Sequence, residues 1–128
     1  MHDDEPVELE AAIGNGREGY YEVRWREGRL EWRCGDEAET FAPSREEWRA
    51  FWRALDLAGV WEWRERYESP GVADGRYWLL RAEHGGRRVD STGANGYPGT
   101  VRARTEPSRE FERFCVAVGR LCGGRPFR

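Results

Sequence analysis

Apolar residues recur at every second position near the start of the chain. Val7, Leu9, Ala11 and Ile13 alternate with Glu8, Glu10 and Ala12 before Gly14-Asn15-Gly16, the period of a half-buried strand that ends in a turn. Tyr21, Val23 and Trp25 then alternate with Glu22, Arg24 and Arg26, and Leu30 and Trp32 with Arg29, Glu31 and Arg33. Glu27-Gly28 between them is a two-residue hairpin turn, with glycine supplying positive φ. That turn length sets the register: Trp25 faces Leu30, Val23 faces Trp32, Arg24 faces Glu31 and Glu22 faces Arg33. Opposite charges directly across the ladder each favour that pairing by ~0.2–1 kcal/mol.

The period changes at Pro43-Ser44-Arg45-Glu46-Glu47. Ser44 and Glu47 have the spacing of a capping box, and Trp48, Phe51, Trp52 and Leu55 follow at i, i+3, i+4 and i+7, one apolar face of a helix. Gly59 ends it. Val60–Tyr67 is predicted as a strand with Trp61, Trp63 and Tyr67 on one side. Arg76–His84 and Arg87–Thr92 pair through Gly85-Gly86, which sets Glu83 against Arg88, Arg81 against Asp90 and Leu80 against Ser91. Apolar residues on both sides of the first strand (Trp78 and Leu80; Tyr77 and Leu79) place it centrally, buried on both faces. Pro107-Ser108-Arg109-Glu110 opens a second helix with Phe111, Phe114, Cys115, Val118, Leu121 and Cys122 inward, and Gly123-Gly124 stops it.

These elements predict one α+β domain over residues 6–128 behind a disordered acidic N-terminus at 1–5. It has a mostly antiparallel sheet of about six strands with two helices on one face. The Pro-Ser-Arg-Glu string occurs at 43–46 and again at 107–110, so the order reads βββα-βββα, a possible pseudo-repeat of 6–58 and 60–122.

Composition then limits what the domain can do. With seven Trp and 38% hydrophobic residues the chain is globular, not disordered. No apolar run reaches the ~20 residues of a membrane helix. The N-terminal MHDDEPVELE has no apolar core of a signal peptide; a bacterial cytoplasmic protein is the expectation. All 21 basic residues are Arg, which excludes chemistry that needs a lysine amine. Cys34, Cys115 and Cys122 lack metal-ligand spacing and read as reduced, buried thiols. No metal or cofactor is implied. Charge is uneven: residues 1–86 hold 12 Arg and 20 acids (−8), residues 87–128 hold 9 Arg and 4 acids (+5).

The densest group of special residues is Ser91-Thr92-Gly93-Ala94-Asn95-Gly96-Tyr97-Pro98. Gly93 and Gly96 admit positive φ and Asn95 tolerates it. Such a loop serves either as a hydrogen-bonded corner that redirects the chain, or as a binding site. A site would be built from Ser91, Thr92, Asn95 and Tyr97 with Arg87, Arg88, Arg102 and Arg104 around them, a set suited to a protein, a peptide or a small anionic ligand. Together, Asp74-Gly75-x-x-Trp78 and Gly93-x-Asn95-x-Tyr97-Pro98 resemble a family of small bacterial domains. That family pairs a D-G-x-x-W strand with a G-x-N-x-Y-P loop and closes with an amphipathic helix. The resemblance covers about residues 61–122; this chain departs from it by an insertion at 96–105. It implies the fold and assigns no activity.

Catalysis finds little support. Ser91 faces Leu80, several residues from His84, a poor setting for a Ser-His pair. Cys115 and Cys122 lie on the apolar face of a helix. Glu65 with Asp74, or Asp74 with Asp90, are the carboxylates a small enzyme would use. Nucleic-acid binding is the stronger alternative, through Arg102, Arg104, Arg109, Arg113, Arg125 and Arg128 with Tyr97 and Phe127, although acids are interleaved. The reading favoured here is a non-enzymatic binding or interaction module.

Overall fold

The hairpin centred on Glu27-Gly28 forms as the alternation requires. In the computed structural model of the chain, β2 (Gly19–Arg26) and β3 (Arg29–Cys34) pair with Trp25 opposite Leu30, Val23 opposite Trp32 and Arg24 opposite Glu31. Glu27 and Gly28 both take positive φ, 52° and 76°, the mirror-image turn that follows the twist of the strands. The structure describes residues 3–68, 75–98 and 107–128.

β1 (Glu8–Asn15) pairs with β2 on one side and β6 (Tyr77–His84) on the other, and β6 pairs with β7 (Arg87–Ala94). The predicted register of that second hairpin holds, with Glu83 opposite Arg88, Arg81 opposite Asp90 and Leu80 opposite Ser91. Two strands differ from expectation. β4 (Glu37–Phe41) adds a further antiparallel strand outside β3. Val60–Tyr67 is not one strand: Val60–Glu62 is a turn of 3-10 helix, and only β5 (Arg66–Glu68) is extended, parallel to β7. Gly59 explains the difference. It leaves the helix in the left-handed region at φ 70°, and its carbonyl accepts from the Glu62 N–H, so the chain coils once more before it extends. The seven strands run β4-β3-β2-β1-β6-β7-β5.

Helix α1 (Arg45–Ala58) starts at Ser44, whose hydroxyl accepts from the Glu47 N–H while the Glu47 carboxylate accepts from the Ser44 N–H, the full capping box. Helix α2 (Arg109–Leu121) is capped by Ser108 alone. Both helices cover the same sheet face. Their apolar stripes meet Leu9, Ala11, Ile13, Val23, Leu30, Trp32, Trp78, Leu80, Ala82 and Val89, all buried. Trp48 of α1 meets Trp25 edge-on at 5.3 Å, and Phe111 of α2 meets Trp78 at 5.0 Å. Four indole N–H groups donate to main-chain carbonyls: Trp32 to Pro126, Trp52 to Asp4, Trp63 to Ala58 and Trp78 to Gly96.

The other sheet face is open. β6 is interior to the sheet, but Tyr77 is 50% exposed, so its second face is not buried as expected. Farther along, this face carries a charge lattice. Arg88 reaches Glu8 at 2.7 Å, Asp90 at 2.8 Å and Glu83 at 3.0 Å, and Arg81 reaches Asp90 at 3.4 Å. Arg24, directly opposite Glu31 in the ladder, makes its ion pair with Glu10 on β1 instead, at 3.9 Å. Exposed pairs of this kind fix register more than they add stability.

Candidate functional site

The Ser91–Pro98 loop leaves β7 where the sheet must hand the chain on toward α2. Its polar side chains turn inward. Ser91 is 1% exposed and its hydroxyl donates to the Arg64 carbonyl at 2.6 Å. Thr92 is exposed, but its hydroxyl is also given to backbone, the Glu65 carbonyl at 3.2 Å. Together they stitch β7 to the segment entering β5. Asn95 stands at φ 58°; its Oδ1 accepts from the Arg76 N–H at 2.9 Å and its own N–H donates to the Arg76 carbonyl at 3.0 Å. Tyr97, 4% exposed, lies edge-on to Phe111 at 4.8 Å. Burial raises its hydroxyl pKa above the usual value, against the opposing influence of Arg76 nearby.

The glycines in this region are required by close approach. A Cβ on Gly93 would lie 1.9 Å from Trp78 Nε1, and one on Gly75 would lie 1.6 Å from Asn95 Oδ1. The loop is therefore an internal corner, and Ser91, Asn95 and Tyr97 do not form a surface that a ligand can touch.

The arginines grouped with that loop are not brought to it. Arg87 pairs with Asp56 at 2.9 Å and lies over the Trp61 ring at 4.7 Å, at the α1 end of the molecule. Arg88 is held by its three carboxylates on the open face. Arg102, Arg104 and Asp74 lie outside the described residues. Asp90 is exposed and occupied by Arg81 and Arg88. His84 is committed elsewhere: its ring stacks on Trp52 at 4.2 Å and its Nε2 donates to the Asp3 carbonyl. Cys115 and Cys122 are buried, and burial pushes each thiol pKa up to about 12, the reverse of an activated thiolate.

What the corner does place is Arg76. Asn95 grips both backbone groups of that residue, and its guanidinium lies close enough to Tyr97 and Cys115 to act on both electrostatically. Arg76 belongs to no motif that sequence reasoning singles out; its pairing with Asn95, 19 residues away, reveals it.

A second concavity lies between the outer sides of α1 and α2, with a volume of about 570 Å³. Ala50, Phe51, Ala54, Leu57 and Ala117 form its apolar wall, and Val116 crests α2 beside it. Leu57 is 69% and Val116 50% exposed, unusual for residues of that size in helices otherwise well patterned. Arg109, Arg113 and Arg120 border the groove along α2, and no ion pair engages them among the described residues. Of the two bordering acids, Glu47 is committed to the α1 cap; Glu112 is exposed. Comparison of the chain with protein families and with curated proteins returns no match in either.

Proposed function

We propose that this protein is a non-enzymatic interaction module that docks an amphipathic helical segment of a partner protein between α1 and α2. The observation that carries the reading is the apolar groove with exposed Leu57 and Val116, bordered along α2 by arginines that no ion pair engages among the described residues. The floor suits the apolar stripe of a helix laid into a groove. Arg109, Arg113 and Arg120 follow one side at helical spacing, so the partner helix carries acids along the facing flank. The lining runs from Glu47 to Leu57 along α1, which accepts about three turns of helix at 3.6 residues per turn. The Ser91–Pro98 corner contributes as scaffold, by holding the sheet against α2.

The test is fluorescence anisotropy with a labelled 14-residue helical peptide that has a leucine stripe flanked by glutamates. The same peptide with lysines in place of the glutamates, and a labelled single-stranded oligonucleotide, serve as comparators. Micromolar binding of the acidic peptide that weakens with salt, and that falls at least about tenfold in Val116→Asp and in Arg113→Glu, supports the proposal. Equal binding of both peptides, or loss-free binding by the two variants, overturns it. Tighter binding of the oligonucleotide would overturn it in favour of a nucleic-acid module.

A further inference from the structure

On the other flank of α2, sharing Glu112, Val116 and Arg120 with the groove, the C-terminal residues fold back against Trp32 of β3 and leave a pocket of about 480 Å³, within the size range of small-molecule sites. Its wall is apolar: Ile13 from β1, Phe111 and Cys115 from α2, and Phe127 from the C-terminal segment, each at most 9% exposed. Its polar lining is predominantly of one sign. Arg76, Arg120, Arg125 and Arg128 contribute to it against a single side-chain carboxylate, Glu112. Arg125 is already engaged, paired with Glu39 and set over the Trp32 ring at 5.3 Å. No ion pair engages Arg76, Arg120 or Arg128 among the described residues.

We propose that this pocket binds a small amphipathic carboxylic acid, with Arg76 pairing with the carboxylate and the Ile13-Phe111-Phe127 wall covering the apolar body. Three features join in this assignment. Guanidinium presents a planar fork that matches a carboxylate bidentately. Arg76 is half-buried and Asn95 bonds both of its backbone groups, so the root of its side chain is fixed and less freedom is left to lose on binding. A hydrocarbon or aromatic tail gains by contact with the apolar wall, which a bare inorganic anion would leave uncovered, so an amphipathic acid uses both parts of the lining. The inference also gives the special-residue loop a use: its hydrogen bonds end at the backbone of the recognising arginine. The two sites share Glu112, Val116 and Arg120, but Arg76 and the Ile13-Phe111-Phe127 wall border only this pocket, so a variant at Arg76 tests it separately from the docking proposal.

The test is a ¹H–¹⁵N NMR titration of the intact chain with octanoate. Methyl octanoate, octylamine and a phenylalanine-terminated tripeptide, as free acid and as amide, are titrated alongside it. The expected result is a saturating set of shifts at Cys115, Gly119, Gly124 and the Arg76 side-chain N–H for octanoate or for the peptide acid. Binding should be at least about tenfold weaker for the matching ester or amide and undetectable for the amine. Arg76→Gln, checked by circular dichroism for an unchanged fold, should weaken the acid about tenfold or more and leave the ester unaffected. Octanoate alone binding would assign free aliphatic acids; the peptide acid alone would assign peptide C termini. Saturation by neither acid below about 10 mM, equal binding of acid and ester, or unchanged binding in Arg76→Gln overturns the proposal.

Discussion

Replacing Asn95 by alanine tests whether the loop is architecture. The side chain has two duties that can be sized separately. Its Oδ1 accepts the Arg76 N–H in a part-buried setting, and loss of that acceptor strands a backbone donor, a cost of about 1–3 kcal/mol. Its backbone stands at φ 58°, which asparagine tolerates and alanine resists by roughly 1 kcal/mol. Asn95→Ala should therefore lower unfolding stability by about 2–4 kcal/mol. The assay is urea denaturation followed by tryptophan fluorescence, with the loss read as a shift of midpoint at constant slope. Asn95→Gly separates the two duties: glycine enters the left-handed region freely, so this variant should be about 1 kcal/mol milder than alanine while it still loses the hydrogen bond. A loss under about 0.5 kcal/mol for Asn95→Ala would refute the structural account of the loop. So would an Asn95→Gly variant as damaged as the alanine one, since the positive φ would then contribute nothing.

Other consequences follow from burial and capping. Gly93→Ala should cost about 2–3 kcal/mol or more, because its Cβ falls 1.9 Å from Trp78 Nε1 and forces the indole off the Gly96 carbonyl; the midpoint in urea reads it. Ser44→Ala at the exposed α1 cap should cost about 1 kcal/mol, and Ser108→Ala more, since Ser108 is 3% exposed and its loss leaves the Phe111 N–H unpaired away from water. The thiols of Cys115 and Cys122 have pKa values raised from 9.0 to about 12 by burial. The folded state therefore holds protons that the unfolded chain has released. Their contribution is intact below pH 9 and declines as pH rises from 9 toward 12. Denaturation midpoints measured across that range should fall, and fall less steeply in Cys115→Ala, compared with its own midpoint at pH 7. With a disulfide reagent at pH 8, only half-buried Cys34 should react quickly; immediate labelling of all three thiols would contradict the burial of the other two.

What was legible in the chain follows from where the physical signal is local. The Glu27-Gly28 and Gly85-Gly86 turns have two residues each, so turn chemistry and charge complementarity fix register without knowledge of the rest, and both registers hold. Ser44 and Ser108 announce helix starts because a cap is satisfied within three residues. β4 carries no apolar alternation because it is an edge strand: Ala38 and Thr40 are exposed, and of the half-buried positions between and after them one is Glu39 and only the other, Phe41, is apolar. Trp61 and Trp63 imitate a strand because spacing of two is all that periodicity sees. In fact Trp61 caps the α1 end through Asp56 while Trp63 turns to the Phe111-Phe114 cluster. The loop raised the hardest question. Glycine, asparagine, serine and tyrosine in close order mark a backbone in unusual conformation with polar groups to satisfy, and the same residues would mark a ligand site. Burial separates the two readings. Ser91, Asn95 and Tyr97 direct their polar capacity or their bulk at the protein itself, and the residue whose backbone Asn95 holds, Arg76, is one that no local pattern distinguishes from twenty other arginines.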